Sequence, residues 1–288
     1  MTSSAHIACL QTRPIAEARG ALEHALGLAA EAISRGARFL VLPEYCGGLR
    51  SEEGMFRPPV VEEADHPFLT GMAAFAAEHR VWVLIGSLAV PGTGALYRNR
   101  SILLDNEGRI VSRYDKVHLF DIDLGEGQAY RESATVEPGD RAVVADTPWG
   151  RLGHSICYDL RFASLYRSLS LAGAQMLAVP AAFTRTTGEA HWHMLNRARA
   201  VENGCFVIAP CSVGAVEGGG EAYGHSLIVG PWGEVLAEGG DEPCVVDARI
   251  DLEEAAAARC KIPALRHGRA FRPAALSEPR AAAPELAA

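Results

Sequence analysis

The sequence predicts an α/β protein in which helices cover sheets that themselves pack face to face. Helical and strand-like periods alternate near the start of the chain and again from residue 161 to 211. Runs of consecutive strands with no helix between them fill residues 81–116 and the stretch after residue 224. The 288 residues are 49% hydrophobic and 22% charged, the balance of an ordinary globular protein with a substantial core. One domain is expected over residues 1–273, since no linker interrupts the pattern. The last stretch, "AALSEPRAAAPELAA" (274–288), is Ala/Pro-rich with little to bury and is expected to be a disordered or loosely docked tail.

In chain order, "HIACLQT" is a short strand. From Pro14 to Arg35, Ile15, Ala18, Leu22, Leu26, Ala29 and Ile33 recur at three- and four-residue steps, the stripe of an amphipathic helix that Gly36 would stop. "RFLVLPE" is a second strand and residues 66–79 a second helix. The strands "VWVLIGSLAV", "RNRSILLD" and "RIVSRYDK" follow, with "EGR" turning between the last two. Residues 121–140 form a loop rich in Gly, Glu and Asp. "RAVVADT" and "RLGHSIC" pair around Pro148 to Gly150. A helix at 161–172, the strand "QMLAVP", a helix at 189–203 and the strand "CFVIAPC" alternate after them. "GHSLIVG" and "EVLAEG" flank the turn "PWG", and "PCVVDARID" completes the pattern.

A net charge of −8 without any basic cluster argues against a general nucleic-acid binder. The first residues lack the charged and apolar regions of a secretory leader, and no run approaches a membrane span, so a cytoplasmic address is expected. Seven cysteines, none in a C-x-x-C pair, fit reduced thiols rather than a zinc or dithiol site.

Three strand-like runs end in a reactive residue: "FLVLPE" at Glu44, "RIVSRYDK" at Lys116 and "RLGHSIC" at Cys157. Side chains just past the carboxyl ends of strands line the functional crevice of open α/β sheets, so the three are expected to converge. Taken singly, each has a plainer role: a buried filler thiol, a capping or solvated carboxylate, a surface ammonium. Together they make a mechanism. A thiol is mostly protonated at neutral pH and needs a base, a role for Glu44; the tetrahedral intermediate needs donors at its oxygen, a role for Lys116 and the backbone N–H of Tyr158. Histidine is the usual partner of a catalytic cysteine. In an extended strand, however, His154 lies three residues from Cys157 and faces the other way. His191 and His193, two apart on a helix, diverge, which disfavours a metal pair. His118 remains a neighbour one step removed from the chemistry.

These residues, in this order, resemble the nitrilase superfamily of carbon-nitrogen hydrolases, with its Glu-Lys-Cys triad. The resemblance runs through "HIACLQT", "LPEYC", "YDKVHLFDIDL", "YRES", "GHSICYDLRF" and "PAAFTRTTGEAHWHMLNRARAVENGCFVIAP". "CYDLRF" and "AFTRTTGEAHW" are similar to the Nit branch, which holds omega-amidases and deaminated glutathione amidases. The resemblance implies a four-layer α-β-β-α sandwich, a homodimer or larger assembly, and no cofactor or metal. It implies Glu44 as base, Lys116 as oxyanion stabiliser, Cys157 as nucleophile and Glu132 as an added acidic residue near the lysine. Arg161, four residues after the cysteine, resembles a carboxylate-binding arginine; its plainer role is to tether Asp159. Phe183 and Thr187 match pocket-lining positions, and Phe183 could equally be core. His154 and Ser155 depart from the smaller or more apolar residues that relatives often carry there.

The implied activity is hydrolysis of the terminal amide of a small carboxylate-bearing substrate, deaminated glutathione or a keto-acid omega-amide such as alpha-ketoglutaramate, through a cysteine thioester with release of ammonia. The alternatives are an N-carbamoyl hydrolase and, in another class, a catalytically idle binding or scaffold protein.

Overall fold

The computed structural model describes residues 4–52, 54–125 and 129–272, so the expected tail at 274–288 lies outside the described residues. Two six-stranded sheets form the centre. The first runs, in spatial order, Cys244–Asp251, Ser4–Gln11, Phe39–Val41, Trp82–Pro91, Tyr97–Leu104, Ile110–Asp115. The second runs Val144–Asp146, Arg151–Gly153, Met176–Ala178, Phe206–Ala209, Leu227–Val229, Val235–Glu238. In each, a parallel core is flanked by antiparallel strands.

The period of two along each strand sets the layers. From Ser4–Gln11, Ile7 and Cys9 point between the sheets, where they meet Phe39, Val41, Leu84, Met176, Phe206 and Ile208. Ala8 and Leu10 point outward, against Ala21, Ala25, Ala29 and Ala32 of helix α1 (Ala18–Ser34) and Phe68, Met72 and Phe75 of α2 (Pro67–His79). On the second sheet, Leu177, Val207 and Val229 face outward against Leu165 and Leu169 of α3 (Ala163–Leu171) and Trp192 and Ala200 of α4 (Arg185–Asn203). The result is a four-layer α-β-β-α sandwich whose three apolar seams are each contiguous.

Three local expectations need correcting. The helix expected at 189–203 begins at Arg185, because its early Gly188 is demanded by packing: a Cβ there would sit 2.3 Å from the Tyr223 ring. Two threonines and a glycine are poor helix formers, and tertiary contact overrides them. The expected loop at 121–140 contains a short hairpin, Asp121–Asp123 with Ala129–Arg131, and a 3-10 turn at Glu132–Ala134. A fifth helix, α5 (Glu253–Lys261), follows the last strand without any stripe of large apolar residues; it buries only Ala255 and Ala258. Its Glu253 and Glu254 in the first turn and Arg259 and Lys261 in the last complement the helix dipole.

Candidate active site

Glu44 reaches the interior because the sheet bends around it. The strand Trp82–Pro91 carries a bulge between Ile85 and Leu88, and Gly86 in that bulge lets the backbone of Leu42 and Pro43 pass; a Cβ would lie 2.0 Å from the Leu42 carbonyl oxygen. Tyr45 takes a left-handed φ of 51° and its N–H donates to Ser87 Oγ at 2.8 Å. The turn aims Glu44 inward, where only 2% of it is exposed. Its Oε2 accepts from the Ala182 N–H at 3.0 Å, and its Oε1 accepts from Asn99 Nδ2 at 2.9 Å.

Lys116 is the first residue past the strand Ile110–Asp115, and its N–H donates to the Asn99 carbonyl at 3.0 Å. Its ammonium donates to Glu44 Oε1 at 2.8 Å and to the two Glu132 oxygens at 3.0 and 2.9 Å. Burial alone would pull the lysine down, but the carboxylates of Glu132 and Glu44 outweigh it and hold the ammonium well above its ordinary range. Glu132 is fixed in turn by the Phe120 N–H at 2.6 Å and the Tyr45 hydroxyl at 3.3 Å. Lys116 therefore stays charged.

The strand expected to carry Cys157 ends at Gly153, and the cysteine instead opens a 3-10 turn, Cys157–Arg161. Its φ of 47° is a left-handed conformation that a non-glycine residue adopts only under constraint. Two anchors supply the constraint. The Cys157 N–H donates to the Pro180 carbonyl at 2.8 Å. Asp159, fully buried, accepts from the Ile156 N–H at 2.9 Å, the Tyr114 hydroxyl at 2.6 Å and the His118 N–H at 3.0 Å, with His118 Nδ1 at 2.7 Å. One carboxylate thus staples the cysteine turn to the segment that carries Lys116. Burial pushes the Cys157 thiol well up; the charge of Glu44 adds to the rise and that of Lys116 opposes it. At rest the sulfur is a thiol, and the Glu44 carboxylate lines the same cavity.

Glu44, Lys116, Glu132 and Cys157 share one cavity with Tyr158, Phe183 and Thr187. The inner space is tight, about 30 Å³, and its neighbour past Phe56, Tyr130, Ala182 and Thr184 is wider, about 570 Å³. Thr187 Oγ1 pairs with Thr184 Oγ1 at 2.8 Å, which leaves its methyl for the wall. The Tyr158 N–H lies in the opening of the 3-10 turn, where amides have no carbonyl of their own turn to bond. Arg161 does not tether Asp159. Its guanidinium lies 5.8 Å from the Tyr158 ring centre and 5.5 Å from that of Phe183, with His191 Nδ1 at 3.4 Å. It stacks behind two walls of the cavity rather than lining it.

The sequence carries no sign of Asn99 or Arg131, and points to Asp159 only as a partner for Arg161. Asn99 bridges Glu44 and Glu132, and its period-two position opposite Ala89 gives no sign of that. Arg131, beside Glu132 in "YRES", lines the cavity mouth and donates to the Ile122 and Tyr130 carbonyls at 3.2 and 3.0 Å.

Among the described residues, no histidine lines this cavity. His154 is fully buried between Ser101 Oγ (3.3 Å) and Ser112 Oγ (2.9 Å), stacked on Tyr114. His118 touches the chemistry only through Asp159, its ring stacked on Phe162. Burial pulls both His154 and His66 down to about 4 from an ordinary 6.5. The unfolded chain binds protons that the folded chain refuses between those values, so stability is full above pH 6.5 and lost as pH falls towards 4, by roughly 3 kcal/mol for His154 and less for His66. Chemical denaturation at pH 7, 5.5 and 4.5 is expected to give falling midpoints, and His154→Gln is expected to flatten that fall.

A sequence model of carbon-nitrogen hydrolases matches residues 6–260. The chain is 36% identical to the deaminated glutathione amidase of Yersinia enterocolitica, over 82% of this chain and 84% of that protein. It is 37% identical to omega-amidase NIT2 of Homo sapiens, over 83% and 86%. Among solved structures, the C. elegans NitFhit protein superposes with a TM-score of 0.83 and 31% identity over 93% of this chain, which spans 66% of that longer protein. A match of this extent, on a sandwich of the same architecture, places the chain in the carbon-nitrogen hydrolase family.

Proposed function

We propose that the protein is an amidase that hydrolyses the terminal amide of a small carboxylate-bearing substrate. The observation that carries the reading is the buried contact of Glu44 with Lys116 at 2.8 Å beside the Cys157 thiol, in one cavity. Glu44 takes the thiol proton as Cys157 Sγ attacks the amide carbonyl. The oxygen that gains charge is met by the Lys116 ammonium and the Tyr158 N–H. The same proton passes from Glu44 to the leaving amine, ammonia departs, and a thioester remains. Water, deprotonated by Glu44, attacks the thioester; the acid leaves and the thiol regains its proton. Glu132 holds Lys116 in position and in charge.

The narrow inner cavity suits a primary amide head, and the wider outer space suits the rest of a longer acyl chain. That supports a substrate of the deaminated glutathione type over short keto-acid amides such as alpha-ketoglutaramate. Two cations flank the route: Arg131 at the mouth and Arg161 behind the Tyr158 and Phe183 rings. Arg161 is the proposed carboxylate fork, reached by a rotation off those rings, since a planar guanidinium grips a carboxylate through two parallel bonds and an ammonium cannot.

A panel of primary amides with ammonia detection tests the reading. Ammonia without carbon dioxide is expected; carbon dioxide from N-carbamoyl substrates would instead assign a carbamoylase. Arg161→Lys is expected to cut turnover of carboxylate-bearing amides about tenfold more than that of a neutral amide of equal length. Equal losses would remove Arg161 from substrate recognition. A cytoplasmic address and a homodimer or larger assembly belong to the same reading. Leu171, Met194 and Val201, each more than half exposed on the α3–α4 layer, support such an assembly, and sedimentation would measure it.

A further inference from the structure

On the outer surface, away from the triad, three side chains from three elements turn their donor atoms towards one point. His193 comes from the middle of α4, His225 from the turn before the strand Leu227–Val229, and Glu238 from the end of the strand Val235–Glu238. Glu238 Oε1 lies 2.8 Å from His193 Nε2 and 3.0 Å from His225 Nδ1, and all three donor atoms lie within 4.8 Å of one another. We propose that His193, His225 and Glu238 form a divalent metal site selective for zinc-like ions. Two imidazoles and a carboxylate are the donor set such ions take, and a tetrahedral site with bonds of about 2.0–2.1 Å spaces its donors by about 3.3 Å. Glu238 Oε1, at 2.8 and 3.0 Å from the two nitrogens, has only a few tenths of an ångström to give way to either side of an ion.

The surroundings fit an ion. Asp241 Oδ1 stands 3.7 Å from His225 Nε2, on the side of the ring opposite the site, and is itself held by Arg185 at 3.1 Å. When an ion takes His193 Nε2 and His225 Nδ1, each neutral ring keeps its proton on the other nitrogen, and that of His225 then faces Asp241. A carboxylate behind a ligating imidazole orients the ring and raises its basicity. The Tyr223 ring stacks on His225 at 4.5 Å, and Trp192 Nε1 donates to the His225 carbonyl at 2.7 Å. These contacts hold His225 in a left-handed φ of 52°, directly after Gly224 at 75°, a conformation that costs energy and aims Nδ1 at Glu238. The side chains of His193 and Glu238 are 36% and 38% exposed, so an ion can enter and a fourth position stays open to water.

Sequence spacing had set His193 beside His191, and that pair does diverge: His191 faces Arg161. The partners lie 32 and 45 residues further on, where spacing carries no signal. A bound ion would tie α4 to the segment around Tyr223, whose N–H donates to the Phe183 carbonyl in the cavity wall at 2.8 Å. The site stands whether or not the proposed amide substrate is right.

The test is titration of chelator-treated full-length protein with Zn²⁺ by calorimetry and with Co²⁺ by absorption, for wild type, His193→Ala and Glu238→Gln. One equivalent per chain is expected, with a thermal midpoint that rises on Zn²⁺ addition and returns with chelator. Affinity should fall about tenfold or more in each variant while their melting without metal stays near wild type. The Co²⁺ spectrum should lack a thiolate charge-transfer band. Equal affinity in all three proteins, no binding, or a thiolate band that disappears in Cys157→Ala would overturn the assignment.

Discussion

Cys157→Ala is expected to abolish ammonia release from every amide that the wild type hydrolyses, a loss on the order of 10⁴-fold or more. The size follows from what is left behind. Glu44 and Lys116 would still polarise a carbonyl, but direct attack by water needs a nucleophile held at the place and angle that the Cys157 turn provides for sulfur alone. Folding should be nearly untouched. The side chain lost is small, and the turn is held by main-chain and Asp159 bonds that do not involve the thiol. Melting and turnover measured on the same preparation separate the two, and an inactive variant with a wild-type midpoint is the expected result. Asp159→Ala gives the converse: it strips the staple from Tyr114, His118 and Ile156, so stability should fall together with turnover.

Lys116→Met is expected to lower kcat about 10²–10³-fold and to destabilise the fold by about 3–5 kcal/mol. Methionine, one atom shorter, keeps an unbranched apolar stem but takes away the only charge that stands between Glu44 and Glu132 within this cluster. Two buried carboxylates then keep only neutral donors, Asn99 between them, the Ala182 N–H on Glu44 and the Phe120 N–H and Tyr45 hydroxyl on Glu132, and one of them must take up a proton or water must enter. Adding Glu132→Gln in the Lys116→Met background removes one of the opposing charges. It is expected to recover much of the stability, read by urea titration, and none of the turnover. Turnover that recovers along with stability would make Lys116 a structural neutraliser rather than an oxyanion donor.

Much of this was legible in the chain, and the limits are physical. The layers were readable because alternation in "HIACLQT" and the three- and four-residue steps after Pro14 are the direct imprint of two-faced burial. Glu44, Lys116 and Cys157 were readable as reactive residues at strand ends, and the structure brings their side chains into one cavity. Their supports were not. Asn99 and Asp159 act through long-range hydrogen bonds, to Glu44 and to Tyr114 and His118, and a polar residue within a strand or a short turn looks the same whether it meets water or a buried partner. The exclusion of His154 rested on strand alternation, but the strand stops one residue earlier, and what turns the ring away is its pairing with Ser101 and Ser112. Helix α5 escaped notice because alanines bury against the sandwich without any amphipathic pattern to read. Arg161, expected at the pocket, stands behind its aromatic walls, over the Tyr158 and Phe183 rings, a placement that no periodicity encodes.

The central claim is that a carboxylate, an ammonium and a thiol act in turn on one carbonyl. Acid quench of the enzyme during steady turnover of a primary amide, followed by intact mass and peptide mapping, tests it most directly. The account predicts an adduct equal to the substrate's mass less ammonia on the peptide that carries Cys157, cleared by hydroxylamine and absent from Cys157→Ala. Full turnover with no acyl group on that peptide, together with undiminished ammonia release from Cys157→Ala, would contradict it.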